Sequence, residues 1–175
     1  GLLDRRRKAG TRIAVQPVAK ATLHIAVIRH EVEEQGKPYG YRLIDRCVAV
    51  PPDAVSAEMG TNAGDPLLHI RALHLADGAP YALEDRWINS SVVAQALAED
   101  FQTISANEWL LEHAPYTRGD ISFSATSADA WVAQELNCSV GSAVLTIDRL
   151  TWDKDASVTK VSIYFCPGRR LQAKL

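Results

Sequence analysis

The chain has 175 residues, of which 47% are hydrophobic and 23% are charged. A chain of this length and composition can bury a sizeable core, which excludes disorder over most of it. Its 19 basic and 21 acidic residues give a net charge of −2, which excludes a uniformly basic nucleic-acid coat protein. The charge is uneven, because residues 1–13 hold five basic residues and one acidic residue, and the remainder has a net charge of −6. We therefore expect different roles for the basic end and the acidic body.

The sequence contains no segment that points to a membrane. No apolar run approaches the roughly 18 residues that would span a bilayer, and no charged segment followed by an apolar stretch opens the chain. We therefore expect a cytoplasmic protein with no membrane partner.

The cysteines and histidines show no metal-binding pattern. Cys47, Cys138 and Cys166 are far apart and form no C-x-x-C pair, so neither a disulfide framework nor a zinc site is expected. The five histidines show no H-x-H or H-x-x-x-H spacing, and none lies near a cysteine in the sequence. We predict three reduced thiols, no metal site and no cofactor.

The first predicted elements are a basic hairpin, a helix and a strand. Residues 1–15 hold two short segments on either side of Gly10, which can adopt the positive φ of a tight turn. Apolar residues then recur at helical spacing before a Gly and a Pro, which predicts a helix over 21–35. Alternating β-branched and aromatic residues predict a strand over 41–50, and a short helix follows over 53–59.

The clearest hairpin joins strands over 67–75 and 81–88 through Asp77-Gly78, a pair preferred in tight primed turns. The rest of the chain predicts a helix from Ser90 or Ser91, a helix opened by a capping box at 105–108, a helix after Asp129, and strands over 116–125, 143–152 and 158–165. Hairpins with intervening helices and no βαβ regularity predict an α+β fold with one central antiparallel sheet flanked by helices.

Common catalytic signatures are absent from the sequence. It contains no G-x-S-x-G, H-E-x-x-H, P-loop or dinucleotide-binding motif. We therefore predict no catalytic residues. What remains is a set of polar side chains within the predicted strands, namely Arg71, Glu84, Arg86, Arg149 and Tyr164.

These strand residues have two interpretations. They form cross-strand ion pairs on a solvated outer face, each contributing a few tenths of a kcal/mol, or they line a pocket that binds an anionic ligand through guanidinium groups. Alternation places Glu84 and Arg86 on one face of their strand, and the parities allow Arg71 to face the same side across the hairpin. Buried together without a ligand, these cations would be costly, so an anion is expected among them.

Several strings in the sequence carry a family resemblance. They are residues 5–11, residues 70–89, Arg149-Leu150-Thr151-Trp152, Val158-Thr159 and Pro167-Gly168. Together they resemble the effector-binding (UTRA) domain of GntR-type bacterial transcription regulators, and within that group they look most like the histidine-utilisation repressors. The tyrosine that commonly follows the Pro-Gly pair is replaced here by Arg169-Arg170.

The resemblance implies a fold similar to that of chorismate lyase and a two-part organisation. Residues 1–15 would be the remaining wing of a winged helix-turn-helix domain that is otherwise absent, and residues 16–175 the effector-binding domain. The implied partners are operator DNA through that N-terminal domain, a second copy in a homodimer, and a small effector. The wing residues implied to contact DNA are Arg5, Arg6, Arg7, Lys8 and Thr11.

For the histidine-utilisation branch, the implied effector is urocanate, an anionic imidazole acrylate that would weaken operator binding. Arg71 or Arg86 would hold its carboxylate, and Glu84 would accept from an imidazole N–H. Tyr164 or Trp87 would supply an aromatic wall, and Arg149 would complete the pocket.

Three alternatives remain open at this point. One is an enzyme like chorismate lyase, with Glu84 as general acid. Another is a UTRA domain that senses a different metabolite, and a third is a dimerisation module without a ligand. The basic wing argues against the enzyme, since an enzyme has no need for it.

Overall fold

Residues 27–171 are described by a computed structural model, in which a six-stranded antiparallel sheet is flanked by helices. The hairpin predicted over 1–15, with its wing residues, and the first part of the helix predicted over 21–35 lie outside the described residues. Within residues 27–171, no helix is long and apolar enough to cross a membrane.

The described elements follow the predicted order. They are α1 (Ile28–Glu34), β1 (Tyr39–Ala49), α2 (Asp53–Met59), β2 (Leu67–Ala76), β3 (Ala79–Ile88), a 3₁₀ helix (Ala94–Leu97), α3 (Ala106–His113), β4 (Arg118–Ser127), α4 (Ala130–Leu136), β5 (Ala143–Asp153) and β6 (Ala156–Phe165). The strand order in the sheet is β1-β2-β3-β6-β5-β4, and every neighbouring pair is antiparallel. The predicted α+β fold with one central antiparallel sheet is confirmed.

Two of the predicted helix starts are confirmed by side-chain caps. Ser105 accepts a hydrogen bond from the backbone N–H of Glu108 and donates from its hydroxyl to the Glu108 carboxylate at 2.7 Å. The Asp129 carboxylate accepts from the Val132 N–H at 2.8 Å. The helix predicted from Ser90 or Ser91 is wrong, because only a 3₁₀ helix forms at Ala94–Leu97.

Each face of the sheet has its own helical cover. The α1/α3 face packs against α1 and α3, and the α2/α4 face packs against α2 and α4. Leu68, Ile70 and Ile88 on the α1/α3 face are fully buried. Burial of such a side chain contributes about 1.5–3 kcal/mol, so both faces of the sheet are structural core along its central strands, whereas the edge strand β4 is mostly exposed.

A β-bulge sets the register of the central hairpin. Asp77 and Gly78 both have positive φ, as a tight primed turn requires. Leu75 pairs with Pro80, but His74 pairs with Ala82, so Tyr81 is an extra residue on β3. Every residue of β2 beyond the bulge is therefore shifted by one position relative to β3.

The shift decides which charged residues share a face. Arg71 lies opposite Asp85, and Glu84 lies opposite Ala72. Directly opposed residues point to the same side of a sheet, and a one-residue slip moves a whole set of side chains to the other side. The prediction that Arg71 faces the same side as Glu84 and Arg86 is therefore wrong.

Candidate functional site

A cluster of buried charged side chains lies on the α1/α3 face at the centre of the sheet. It comprises His74 of β2, Glu84 and Arg86 of β3, and Arg149 of β5. Arg86 is completely buried, Glu84 and His74 are each 1% exposed, and Arg149 is 9% exposed. Burial of charged groups is expensive unless partners compensate them, so the partners decide what this cluster can bind.

Glu84 is the carboxylate at the centre of the cluster. It accepts a hydrogen bond from the Arg86 guanidinium and lies 2.9 Å from Nε2 of His74. Burial alone would raise the pKa of Glu84, but the positive charge of Arg86 and the hydrogen bonds from His74 and Arg86 outweigh burial and hold the pKa well below its usual range. Because a carboxylate only accepts, Nε2 of His74 carries the proton, and Nδ1 lies 2.8 Å from the Tyr39 hydroxyl.

The two arginines converge on one side-chain amide. The Oδ1 atom of Asn107, on α3, accepts from Nη2 of Arg86 at 3.4 Å and from Nη2 of Arg149. Arg86 also donates to Thr159 at 3.3 Å. Thus two guanidinium groups share a neutral oxygen at the point where an anion would be the stronger acceptor.

Arg149 is the less compensated of the two arginines. Among residues 27–171 it has no carboxylate within salt-bridge distance, and its buried Nε has no hydrogen-bond partner. Burial, with the positive charge of Arg86, lowers the pKa of Arg149 to about 9. The guanidinium remains charged at neutral pH, so the cluster carries two arginine charges against one carboxylate charge.

A small cavity adjoins these arginines between α3 and the sheet. It is lined by polar groups of Arg86, Arg149, Asn107 and Thr159 and by the apolar side chains of Leu110 and Val158. A polar end and an apolar wall are typical of sites for small organic ligands, but at about 20 Å³ this cavity has room for only about one water molecule, so an organic ligand must open it. Asn107 stands between the two guanidinium groups, so an anion that binds both must displace its amide.

The structure brings together three of the predicted site residues, Glu84, Arg86 and Arg149. Arg71, Trp87 and Tyr164 lie instead on the α2/α4 face, which corrects the prediction of one common pocket. The register error at the bulge is the cause for Arg71. Trp87 and Tyr164 alternate with Arg86 and Ile163 on their own strands, so they point away from the cluster.

The residues on the α2/α4 face have partners of their own. The Arg71 guanidinium lies 4.4 Å from the centroid of the Trp131 ring and 3.6 Å from the Asp85 carboxylate. Trp87 stacks on His69 with ring centroids 3.8 Å apart, and Tyr164 packs edge-on against Trp131. Each of the three side chains thus has partners within the protein, although the buried Nε of Arg71 has no hydrogen-bond partner.

Sequence reasoning missed Asn107 and the pairing of His74 with Glu84. Asn107 lies inside the capping box at 105–108, so its sequence context indicates only a helix start. Alternation places His74 on the same strand face as Ile70 and Ala72, but the bulge that puts it near Glu84 is indicated only by Pro80, a residue that occurs within strands mainly at edges, first positions and bulges. Tyr41 also belongs to this face, opposite His74, and its buried hydroxyl has no hydrogen-bond partner.

Comparison with known proteins identifies the fold and the family. A family model described as the UTRA domain matches residues 34–172. The chain belongs to the UTRA domain family. The resemblance predicted from the sequence is thus confirmed.

Two curated relatives of this UTRA domain are histidine utilization repressors. The protein from Pseudomonas putida is 25% identical over 170 residues, which cover 97% of this chain and 68% of the relative. The protein from Klebsiella aerogenes is 26% identical over 174 residues, which cover 97% of this chain and 70% of the relative. These similarities span the described domain and part of the segment before it.

Solved structures show the same fold. The C-terminal domain of the histidine utilization repressor from Pseudomonas syringae pv. tomato has a TM-score of 0.73 at 24% identity, over 79% of this chain and 99% of that one. The effector domain of PhnF from Mycobacterium smegmatis has a TM-score of 0.71 at 16% identity, over 81% of this chain and 89% of that one. The chorismate-lyase-like fold is confirmed, and the UTRA domain is the effector domain of a transcriptional regulator, not an enzyme.

Proposed function

We propose that Arg86 and Arg149 bind the carboxylate of a small anionic effector, and that this effector is urocanate or a close chemical relative. The main observation that supports this proposal is that two buried guanidinium groups donate to the same neutral oxygen, Oδ1 of Asn107. A carboxylate in that place would accept charge-assisted hydrogen bonds from both arginines and would supply the negative charge that the cluster lacks. The names of the curated relatives support a histidine catabolite as the effector.

The remaining polar groups on this face suggest how the rest of the effector is held. Both oxygens of Glu84 already have protein partners, Arg86 and His74. We therefore assign Glu84 the role of orienting Arg86, in place of the direct contact with an imidazole N–H predicted from the sequence. The Tyr41 hydroxyl is buried without a hydrogen-bond partner, but Tyr41 does not line the cavity beside the arginines, so it is assigned no contact with the effector.

Displacement of Asn107 by the effector would move α3, and this movement can be transmitted to the N-terminal side of the domain. The next residue on α3, Glu108, accepts a hydrogen bond at 2.7 Å from Arg29 of α1. Because α1 is the first described element, a movement of α3 reaches the chain segment that precedes the sheet. In the proposed homodimer, an effector that binds better to one arrangement of α1 and α3 shifts the population away from the operator-bound state.

Titration calorimetry with urocanate tests the proposed effector. We expect saturable binding with one site per chain, competition by other planar heteroaromatic carboxylates, and weaker binding of histidine, whose ammonium group brings a positive charge near Arg86 and Arg149. Absence of binding by urocanate and by these analogues would contradict the proposal, and binding by an unrelated anion alone would correct the ligand class.

The variant Arg71→Ala is expected to bind urocanate with unchanged affinity. Arg71 lies on the α2/α4 face, where it contacts Trp131 and Asp85 and has no access to Asn107. Calorimetry on the variant is the measurement, and it provides a matched arginine control for variants of the cluster. A loss of affinity greater than tenfold would show that the effector binds on the opposite face of the sheet.

The variant Glu108→Gln is expected to bind urocanate but to lose the response of α1. The substitution removes the negative charge that holds Arg29, while Asn107 and both arginines of the cluster remain. The measurement is amide hydrogen exchange of residues 28–34 with and without urocanate. Wild type is expected to change its protection on binding, and an equal change in the variant would contradict the route through α1.

A further inference from the structure

A second group of polar side chains lies on the α2/α4 face, at the edge of the sheet away from the arginine cluster. Asp45 and Cys47 belong to β1, and His69 belongs to β2 directly opposite Cys47. One donor atom of each residue lies within 4.8 Å of the donor atoms of the other two. The Cys47 sulfur and Oδ2 of Asp45 are 3.7 Å apart.

These separations suit a tetrahedral metal ion. Ligand atoms at about 2.0–2.3 Å from such an ion lie about 3.5 Å from each other, close to the distance between the Cys47 sulfur and the Asp45 oxygen. Small side-chain rotations would bring the three donors into that geometry. Asp45 is exposed and Cys47 is partly exposed, so an ion can reach them from solvent.

His69 is held in the way that metal-binding histidines commonly are. It is 7% exposed, its ring stacks on Trp87, and its Nε2 lies 2.5 Å from Oδ1 of Asp85. A carboxylate that accepts from one ring nitrogen fixes the tautomer and leaves the lone pair on the other, here Nδ1. Arg71, 3.6 Å from the second oxygen of Asp85, balances the charge of that carboxylate.

We propose that Asp45, Cys47 and His69 form a binding site for a borderline-soft divalent metal ion such as Zn²⁺. One sulfur, one nitrogen and one oxygen donor match the ligand preferences of zinc better than those of magnesium or calcium. The Cys47 thiol loses its proton to solvent as the sulfur–metal bond forms, and no oxidation state changes. Water or an external donor takes the fourth position.

The proposed ion would link the edge strand β1 to β2. Its ligands on β1, Asp45 and Cys47, directly follow the β-bulge between Leu43 and Asp45. The ion is separated from the effector cluster by the sheet, so the two sites are independent proposals. The sequence spacing argued against a metal site, because Asp45 and Cys47 are far along the chain from His69. The antiparallel pairing of β1 with β2 brings these residues together, although they are far apart in the sequence.

Cobalt(II) titration of the chelator-treated chain tests this site. Cobalt bound by a thiolate shows a charge-transfer absorption band, which we expect in the wild-type chain and which Zn²⁺, but not Mg²⁺, should abolish by displacement. Cys47→Ser should lose the band, whereas Cys138→Ser and Cys166→Ser should keep it. Circular dichroism confirms that each variant is folded, and the partial exposure of Cys47 makes the serine variant well tolerated.

Three outcomes would overturn the proposal. They are the absence of a charge-transfer band in the wild-type chain, persistence of the band in folded Cys47→Ser, and equal loss of the band in all three cysteine variants. His69→Gln provides a second check, since it removes the nitrogen donor and should weaken cobalt binding at least tenfold. Urocanate titration of the same variants is expected to be unchanged, so failure of one site does not imply failure of the other.

Discussion

Arg149→Met is expected to weaken urocanate binding strongly and to leave the domain folded. Arg149 is buried, has no ion-pair partner among residues 27–171, and has its pKa lowered to about 9 by burial and by Arg86. Loss of one partner from a buried, hydrogen-bonded charge pair costs about 2–5 kcal/mol, which corresponds to a reduction in affinity of roughly 30-fold or more. Methionine keeps the volume of the side chain and removes an uncompensated charge, so stability should not fall.

Calorimetry and urea unfolding together provide the measurement for Arg149→Met. Arg71→Ala is the matched control on the other face, and Arg149→Lys separates charge from geometry. Lysine retains the charge but not the planar fork, so we expect it to recover only part of the affinity. An affinity for urocanate within twofold of wild type in Arg149→Met would show that the carboxylate does not bind at this arginine.

The fold was largely predictable because its signals are local. The Asp77-Gly78 turn, the capping box at Ser105 and the alternation within each strand all act over a few residues. Such signals specify which elements form and which residues share a face of one strand. They led to the correct class of sheet and to the correct grouping of Glu84 with Arg86.

The composition of the site was less predictable, because it depends on register between strands. One extra residue at Tyr81 places Arg71 on the opposite face from Glu84. The only local sign of the bulge is Pro80, which precedes Tyr81 in β3, and alternation alone could not relate β2 to β3. The proximity of Cys47 and His69 also depends on strand register, so alternation could not predict it. The contact of Asn107 with Arg86 and Arg149 depends on how α3 packs against the sheet, which the local sequence does not indicate.

Charge balance connects the predicted and the unpredicted parts of the site. The sequence indicated several arginines in strands, and a buried group of them without an anion would be unstable. In the structure, only Arg86 and Arg149 of these arginines are buried together, and one carboxylate, that of Glu84, lies beside them. Because Glu84 pairs with Arg86, the uncompensated charge is that of Arg149. The effector site and the stability of the apo domain therefore depend on the same few charges.

Glu84→Gln is expected to destabilise the domain strongly, by about 3 kcal/mol or more, because it leaves buried charge without compensation. Glutamine keeps the shape, replaces one accepting oxygen with an NH2 donor, and removes the only carboxylate charge that pairs with Arg86 in residues 27–171. Urea unfolding at neutral pH is the measurement. Glu58→Gln is the control, because Glu58 is 56% exposed in its pair with Lys160 and should change stability by less than about 1 kcal/mol.

The pH dependence and a double variant make this prediction specific to charge. The pKa of Glu84 is lower in the folded chain than in the unfolded chain, so its stabilising contribution is complete above the ordinary carboxyl pKa of about 4.3. As the pH falls below that value, the unfolded chain binds the proton first, and the difference between wild type and Glu84→Gln should shrink. Addition of Arg149→Met to Glu84→Gln should restore part of the stability, because it removes one of two repelling cations. An equal loss at all pH values, without rescue, would mean that Glu84 acts through packing and not through its charge.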